Sequence, residues 1–260
     1  MKLTVLTENT AGGKFLAEHG LSYLIEYDEK NILFDTGHSN VFLTNSSMMG
    51  IPIQKTVDTI VLSHGHWDHG DGLQYINNKT LITHPNSFIR RFRKGSKQNI
   101  GLALSKAEIE NKFTLIESAT PYYITKHIVF LGEIPRENEF ESQRTTFIDE
   151  QGMDDFVPDD SALAIIQNDE LIVITGCSHS GICNIVEYAR KICGINKVKV
   201  IMGGFHLKDT GLQTQKTIAY LKQLNVERIL PSHCTDLPAL SVFYDEFKIQ
   251  QVKTGQEFQL

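Results

Sequence analysis

The sequence predicts a mixed α/β fold in which two mixed β-sheets pack face to face with helices on the outside. Three observations carry that expectation. Runs rich in β-branched and aromatic residues fall into two blocks, and a polar, basic stretch separates them. In the second block the runs alternate with segments whose apolar residues recur at spacings of three and four.

The first block holds LTVLTE (3–8), LSYLIEY (21–27), NILFDTG (31–37) and VDTIVLS (57–63), bounded by Gly, Asn and Asp. Residues 86–111 read as helical and basic, with Arg90, Arg91, Arg93, Lys94 and Lys97 close together. A solvated helix face is the ordinary use of such a run, and a phosphate-attracting rim is the alternative. The second block holds YYITKHIVFLGEI (122–134), SALAIIQNDELIVITGC (161–177), KVKVIMGG (197–204), RILPSHC (228–234) and the C-terminal FKIQQVKTGQEFQL. QND between two apolar runs predicts a hairpin. GICNIVEYARKI (181–192) and TQKTIAYLKQL (214–224) predict helices. No Pro, Gly or Ser linker separates the blocks, so residues 1–260 are expected to form one domain.

Composition narrows the function classes. With 41% hydrophobic and 22% charged residues the chain has an ordinary globular balance, which argues against disorder. A net charge of −6 opposes binding to nucleic acid or an anionic membrane. No run approaches the roughly 18 apolar residues of a membrane span, and MKLTVLTENT lacks a signal-peptide core. A cytoplasmic protein acting on a small molecule is expected, with neither nucleic acid nor membrane as partner; a homo-oligomer is compatible with the sequence. Its four cysteines, Cys177, Cys183, Cys193 and Cys234, show no CxxC spacing, so they are expected as reduced thiols. Cys183 and Cys193 fit core packing, whereas Cys177 and Cys234 stand beside histidines.

The densest chemistry lies in SHGHWDHG (63–70), where VDTIVLS leaves its sheet. His64 and His66, two apart, point the same way if the strand conformation persists, so both imidazoles can reach one ion. Asp68 and His69 follow a change of direction and can serve a second. Imidazole with carboxylate and no thiolate suits zinc, and also iron or manganese.

HGHWDH resembles the HxHxDH motif of the metallo-β-lactamase-fold metallohydrolases. NILFDTG is similar to the strand carrying that superfamily's DTG turn, in which Asp35 would orient a ligand imidazole. GEIPR (132–136), TGCSHSGICNIV (175–186), GGFHL (203–207) and PSHCTD (231–236) resemble the branch typified by the methanopterin-pathway dihydropterin ribofuranosylaminobenzene phosphate synthase. The resemblance spans essentially the whole chain. It implies a four-layer αββα sandwich and a dinuclear site of two divalent ions, zinc in the first place with iron or manganese as alternatives. The metal ligands it implies are His64, His66, Asp68, His69, His179 and His233.

His206 competes with His233 for the last ligand place and is otherwise a substrate-facing acid or oxyanion stabiliser. Cys177 occupies a turn where the superfamily pattern would put a bridging aspartate; either hydroxide alone bridges, or Cys177 lies near the metals without bridging. His19, His38, His84 and His127 are expected as surface or capping residues. The resemblance implies a hydrolase acting on a phosphate-bearing small molecule, a phosphoesterase or a synthase-like enzyme, with Asp68 and His206 at the chemistry and Arg136 or Arg90 on the phosphate. A module that kept the fold and lost the chemistry is the alternative.

Overall fold

The computed structural model describes residues 1–96 and 98–260, so Lys97 of the basic run lies outside the described residues. The chain divides into two compact units. One comprises Met1–Ala119, Thr146–Asp155 and Lys253–Leu260, and the other Thr120–Thr145 and Phe156–Val252.

Among the described residues, the first unit is built on a seven-stranded mixed sheet. From edge to edge its strands are Glu257–Gln259, Lys2–Thr7, Ser22–Tyr27, Lys30–Phe34, Thr59–Val61, Thr80–Thr83 and Thr114–Glu117. Pairing is antiparallel as far as Lys30–Phe34 and parallel beyond it. Parallel neighbours need crossovers, and the helices Val41–Met48 and Lys106–Lys112 lie within two of them. Leu24, Leu33, Ile60 and Leu81, one from each of four adjacent strands, form one core with Phe42, Ile53, Ile109 and Phe113. Ser105 and Glu108 close the start of Lys106–Lys112 as a reciprocal capping box.

Two expectations are corrected in this unit. Among its described residues the basic run is not a helix: Arg91–Arg93 is a strand paired with Phe147–Asp149, and the α-helix found in this region, Lys106–Lys112, starts well after the basic residues. The reason is Arg91, which is wholly buried with its Nε 3.1 Å from Asp155 Oδ2, an arrangement a solvated helix face would not provide. The C-terminal strand belongs here rather than with the second block, because Glu257–Gln259 pairs with Lys2–Thr7. Its alternation, with Phe258 and Leu260 buried, marks a strand but does not name its neighbour.

The second unit holds a six-stranded sheet in the order Arg228–Ser232, Val198–Gly204, Glu170–Thr175, Ala162–Gln167, Ile128–Phe130 and Tyr122–Tyr123. The expected hairpin is present: Ala162–Gln167 and Glu170–Thr175 pair antiparallel around Asn168 and Asp169, whose φ values of 53° and 59° suit a tight primed turn. The other expected helices are Ile182–Cys193 and Leu212–Leu224; Leu237–Phe247, absent from the sequence reading, is a third. Ile182, Ile185, Val186 and Ala189 put one helical face on the core beside Val173, Ile201 and Phe243.

Parallel register then does something local. Thr175 pairs with Gly203, and Gly204 pairs with Ser232, so three strands end at one level. Their following loops become neighbours although far apart in sequence.

Candidate functional site

In the first unit, His66 takes an extended conformation and precedes the short helix Trp67–Gly70. This is the change of direction that separates His64 and His66 from Asp68 and His69. Gly65 allows the loop to pass against the Ser87 carbonyl, since a Cβ there would lie 1.8 Å from that oxygen.

His64, His66, Asp68 and His69 are all buried. His64 Nε2 and His66 Nδ1 are 3.0 Å apart. Two imidazoles on one tetrahedral zinc, each at about 2.0–2.1 Å, would have their nitrogens about 3.3 Å apart, so the pair fits one ion with little movement. Burial, reinforced by His69 and His66, holds the His64 pKa well below the usual imidazole range. The ring is therefore neutral, the form that donates to a metal.

Asp35, at φ 55°, is the buried organiser of this loop. Ser63 N–H and Ser63 Oγ–H each donate to its carboxylate at 2.7 Å, and His69 Nδ1 lies 2.7 Å from its Oδ2. That contact leaves Nε2 as the His69 atom open to a further partner, 4.0 Å from Asp68 Oδ2. His84 caps as expected, its Nδ1 accepting from Asn86 N–H at 3.1 Å. His19 is exposed, as expected, and its Nε2 lies 3.2 Å from Asp68 Oδ2 with its ring 5.4 Å from Trp67. Arg90 is exposed, its guanidinium 5.8 Å from the Phe92 ring centre.

In the second unit, Cys177 and His179 follow Glu170–Thr175, His206 follows Val198–Gly204, and His233 and Cys234 follow Arg228–Ser232. Ser178, His206 and His233 have φ of 58°, 51° and 51°, left-handed conformations that non-glycine residues adopt at a cost. The loops are tied together by Ser178 Oγ–H donating to Gly204 O (2.6 Å), Gly204 N–H to Gly176 O (2.9 Å) and Phe205 N–H to Thr235 Oγ1 (3.0 Å). The His179 and His206 rings are 4.4 Å apart. Cys234 Sγ donates to Cys177 O at 3.3 Å. Burial opposes a Cys234 thiolate, but hydrogen bonds with Cys177 and His206 outweigh it and hold this thiol well below its usual range.

Arg136 supports the same loop, donating to the backbone carbonyls of His179, Phe156 and Val157. Asp160 is a residue the sequence reading missed. Its carboxylate accepts from Ser180 N–H (2.9 Å) and from the Ser180 hydroxyl, which pins the turn bearing His179. The signal was the acidic pair before SALAII, where a strand should open on apolar residues.

Residues 17–84 match the family described as the metallo-beta-lactamase superfamily. The chain is 38% identical over 255 residues to an uncharacterised protein of Methanocaldococcus jannaschii, with 92% of each chain covered. A crystal structure described as a metal-dependent hydrolase of the beta-lactamase superfamily is 28% identical, covering 100% of this chain and 99% of that one with a TM-score of 0.89. The chain belongs to the metallo-β-lactamase superfamily, and its mixed α/β fold is that superfamily's fold. Within it, the chain is 35% identical over 271 residues to the 7,8-dihydropterin-6-methyl-4-(beta-D-ribofuranosyl)-aminobenzene-5'-phosphate synthase of M. jannaschii, covering 95% of this chain and 92% of that one.

Proposed function

We propose that the chain is a metal-dependent hydrolase with a dinuclear site that acts on a phosphate-bearing small molecule, as a phosphoesterase or in a synthase-like reaction. The observation that carries this reading is the buried donor set of the first unit: two imidazole nitrogens 3.0 Å apart, with His69 oriented by Asp35 at 2.7 Å. The ligands proposed are His64, His66, Asp68, His69, His179 and His233. Bound zinc, iron or manganese ions would supply Lewis acidity and make hydroxide available near neutral pH.

The remaining steps fall to the chain itself. One Asp68 oxygen is held by His19, and the other is proposed to accept a hydrogen bond from the attacking water and align it. A His206 ring N–H is proposed to hold the oxyanion that develops on the substrate. Arg90 and Arg136 are proposed for the phosphate. Arg90 is the better first test, because the Arg136 guanidinium already donates to three backbone carbonyls. Support for a phosphate comes from the relative whose name is that of a 5'-phosphate synthase.

The test is metal content followed by turnover. Protein purified without chelator is expected to hold about two equivalents of zinc, iron or manganese and to turn over members of a phosphoester and lactone panel. His64→Ala with His66→Ala is expected to lose metal and at least about a hundredfold in kcat/KM. Near-zero metal after incubation with each ion would overturn this reading in favour of a binding module without the chemistry.

A further inference from the structure

The second unit carries a cluster that the proposed ligand set leaves out. Cys177 Sγ, Cys234 Sγ and one nitrogen of His206 all lie within 4.8 Å of one another. Zinc bonds of about 2.3 Å to sulfur and 2.0–2.1 Å to nitrogen would put such atoms about 3.5–3.8 Å apart in a tetrahedron. From that limit the trio needs to close by at most about 1.3 Å to meet a common ion.

Several features say the cluster is built rather than incidental. Both cysteines are buried and not joined in a disulfide. Buried Nδ1 of His206 has no hydrogen-bond partner, an arrangement that costs free energy unless something else satisfies it. Gly204 makes room for the sulfur, since a Cβ there would sit 2.5 Å from Cys234 Sγ. His206 itself is held at φ 51°, outside ordinary strand geometry, two residues past the end of Val198–Gly204.

The geometry points to Cys177, Cys234 and His206 as a sulfur-bearing site for a thiophilic divalent ion, zinc or its cobalt and cadmium analogues. This deepens the proposed function and rests on reading the chain as a metal protein. Both cysteines would bind as thiolates, any thiol proton passing to solvent, to give a dithiolate–imidazole donor set. Three protein donors leave a fourth position for water or substrate, the arrangement of catalytic rather than closed structural zinc. Through one nitrogen His206 would bind the ion; the other keeps its N–H for an oxyanion, but the ring is removed as a proton source. At Cys177, where the superfamily pattern suggests a bridging carboxylate, a thiolate would serve as donor. Soft sulfur would also tilt the selectivity of this position toward zinc and away from manganese.

The test uses the full chain loaded with Co(II), with bound cobalt counted separately by elemental analysis. A sulfur-to-cobalt charge-transfer band in the near ultraviolet is expected, falling to about half in Cys177→Ser or Cys234→Ser and vanishing in the double variant. Wild-type protein alone gives a second readout, independent of whether the variants fold: bound metal should slow alkylation of both thiols by iodoacetamide, and a chelator should restore it. Bound cobalt with no such band, or alkylation indifferent to metal, would overturn the sulfur site while leaving the histidine centre standing. So would a Cys177–Cys234 disulfide in protein purified without reductant. No bound cobalt at all would overturn both.

Discussion

Asp35 illustrates how a single buried carboxylate orients an imidazole proposed as a metal ligand. It collects two hydrogen bonds from Ser63 and faces His69 Nδ1, so the ring of His69 presents Nε2 in one orientation. Asn adopts the left-handed backbone at φ 55° readily, so Asp35→Asn tests the carboxylate and not the turn. We expect metal affinity to fall about 10–100-fold in a chelator-competition titration. An unchanged affinity would remove Asp35 from the centre. Arg90→Ala is the matching test at the substrate: KM for a phosphate-bearing substrate should rise several-fold with kcat nearly held, the pattern of lost uniform binding. A change in kcat alone would argue against phosphate contact.

Among the elements, the helix Ile182–Cys193 starts without a capping side chain at its own N-cap, Gly181. Glu141, more than 40 residues earlier, substitutes by accepting from Cys183 N–H (2.9 Å) and Asn184 N–H (3.0 Å). A carboxylate there also meets the positive end of the helix. Glu141→Ala would leave buried N–H groups unpaired and should cost about 1–3 kcal/mol, read as a lower urea midpoint at unchanged slope. An unmoved midpoint would mean that water takes over the cap. Sequence reading missed this pairing because a capping box is recognised three residues apart, whereas Glu141 reaches the helix only through the fold.

For the whole molecule, the proposed metals should act as ligands of the native state alone. Free metal at about a hundred times its Kd adds roughly 2.7 kcal/mol, so a chelator should lower Tm and added zinc should restore it. A Tm indifferent to both would count against a centre formed in the folded protein. The first-unit residues proposed as ligands were legible as a group in the sequence because they are local. His64 and His66 are two apart in the loop that follows Thr59–Val61, and Asp68 and His69 lie on the following helical turn. Strand runs and the hairpin between residues 162 and 175 were equally legible, since alternation and a polar turn are short-range signals. Other features were decided only by the tertiary structure: the burial of Arg91 against Asp155, the pairing of the C-terminal strand with the first, and the meeting of Cys177 with Cys234 across 57 residues. The physical reason is that spacing along a chain fixes which side chains share a face, whereas parallel register between distant strands fixes which loops meet.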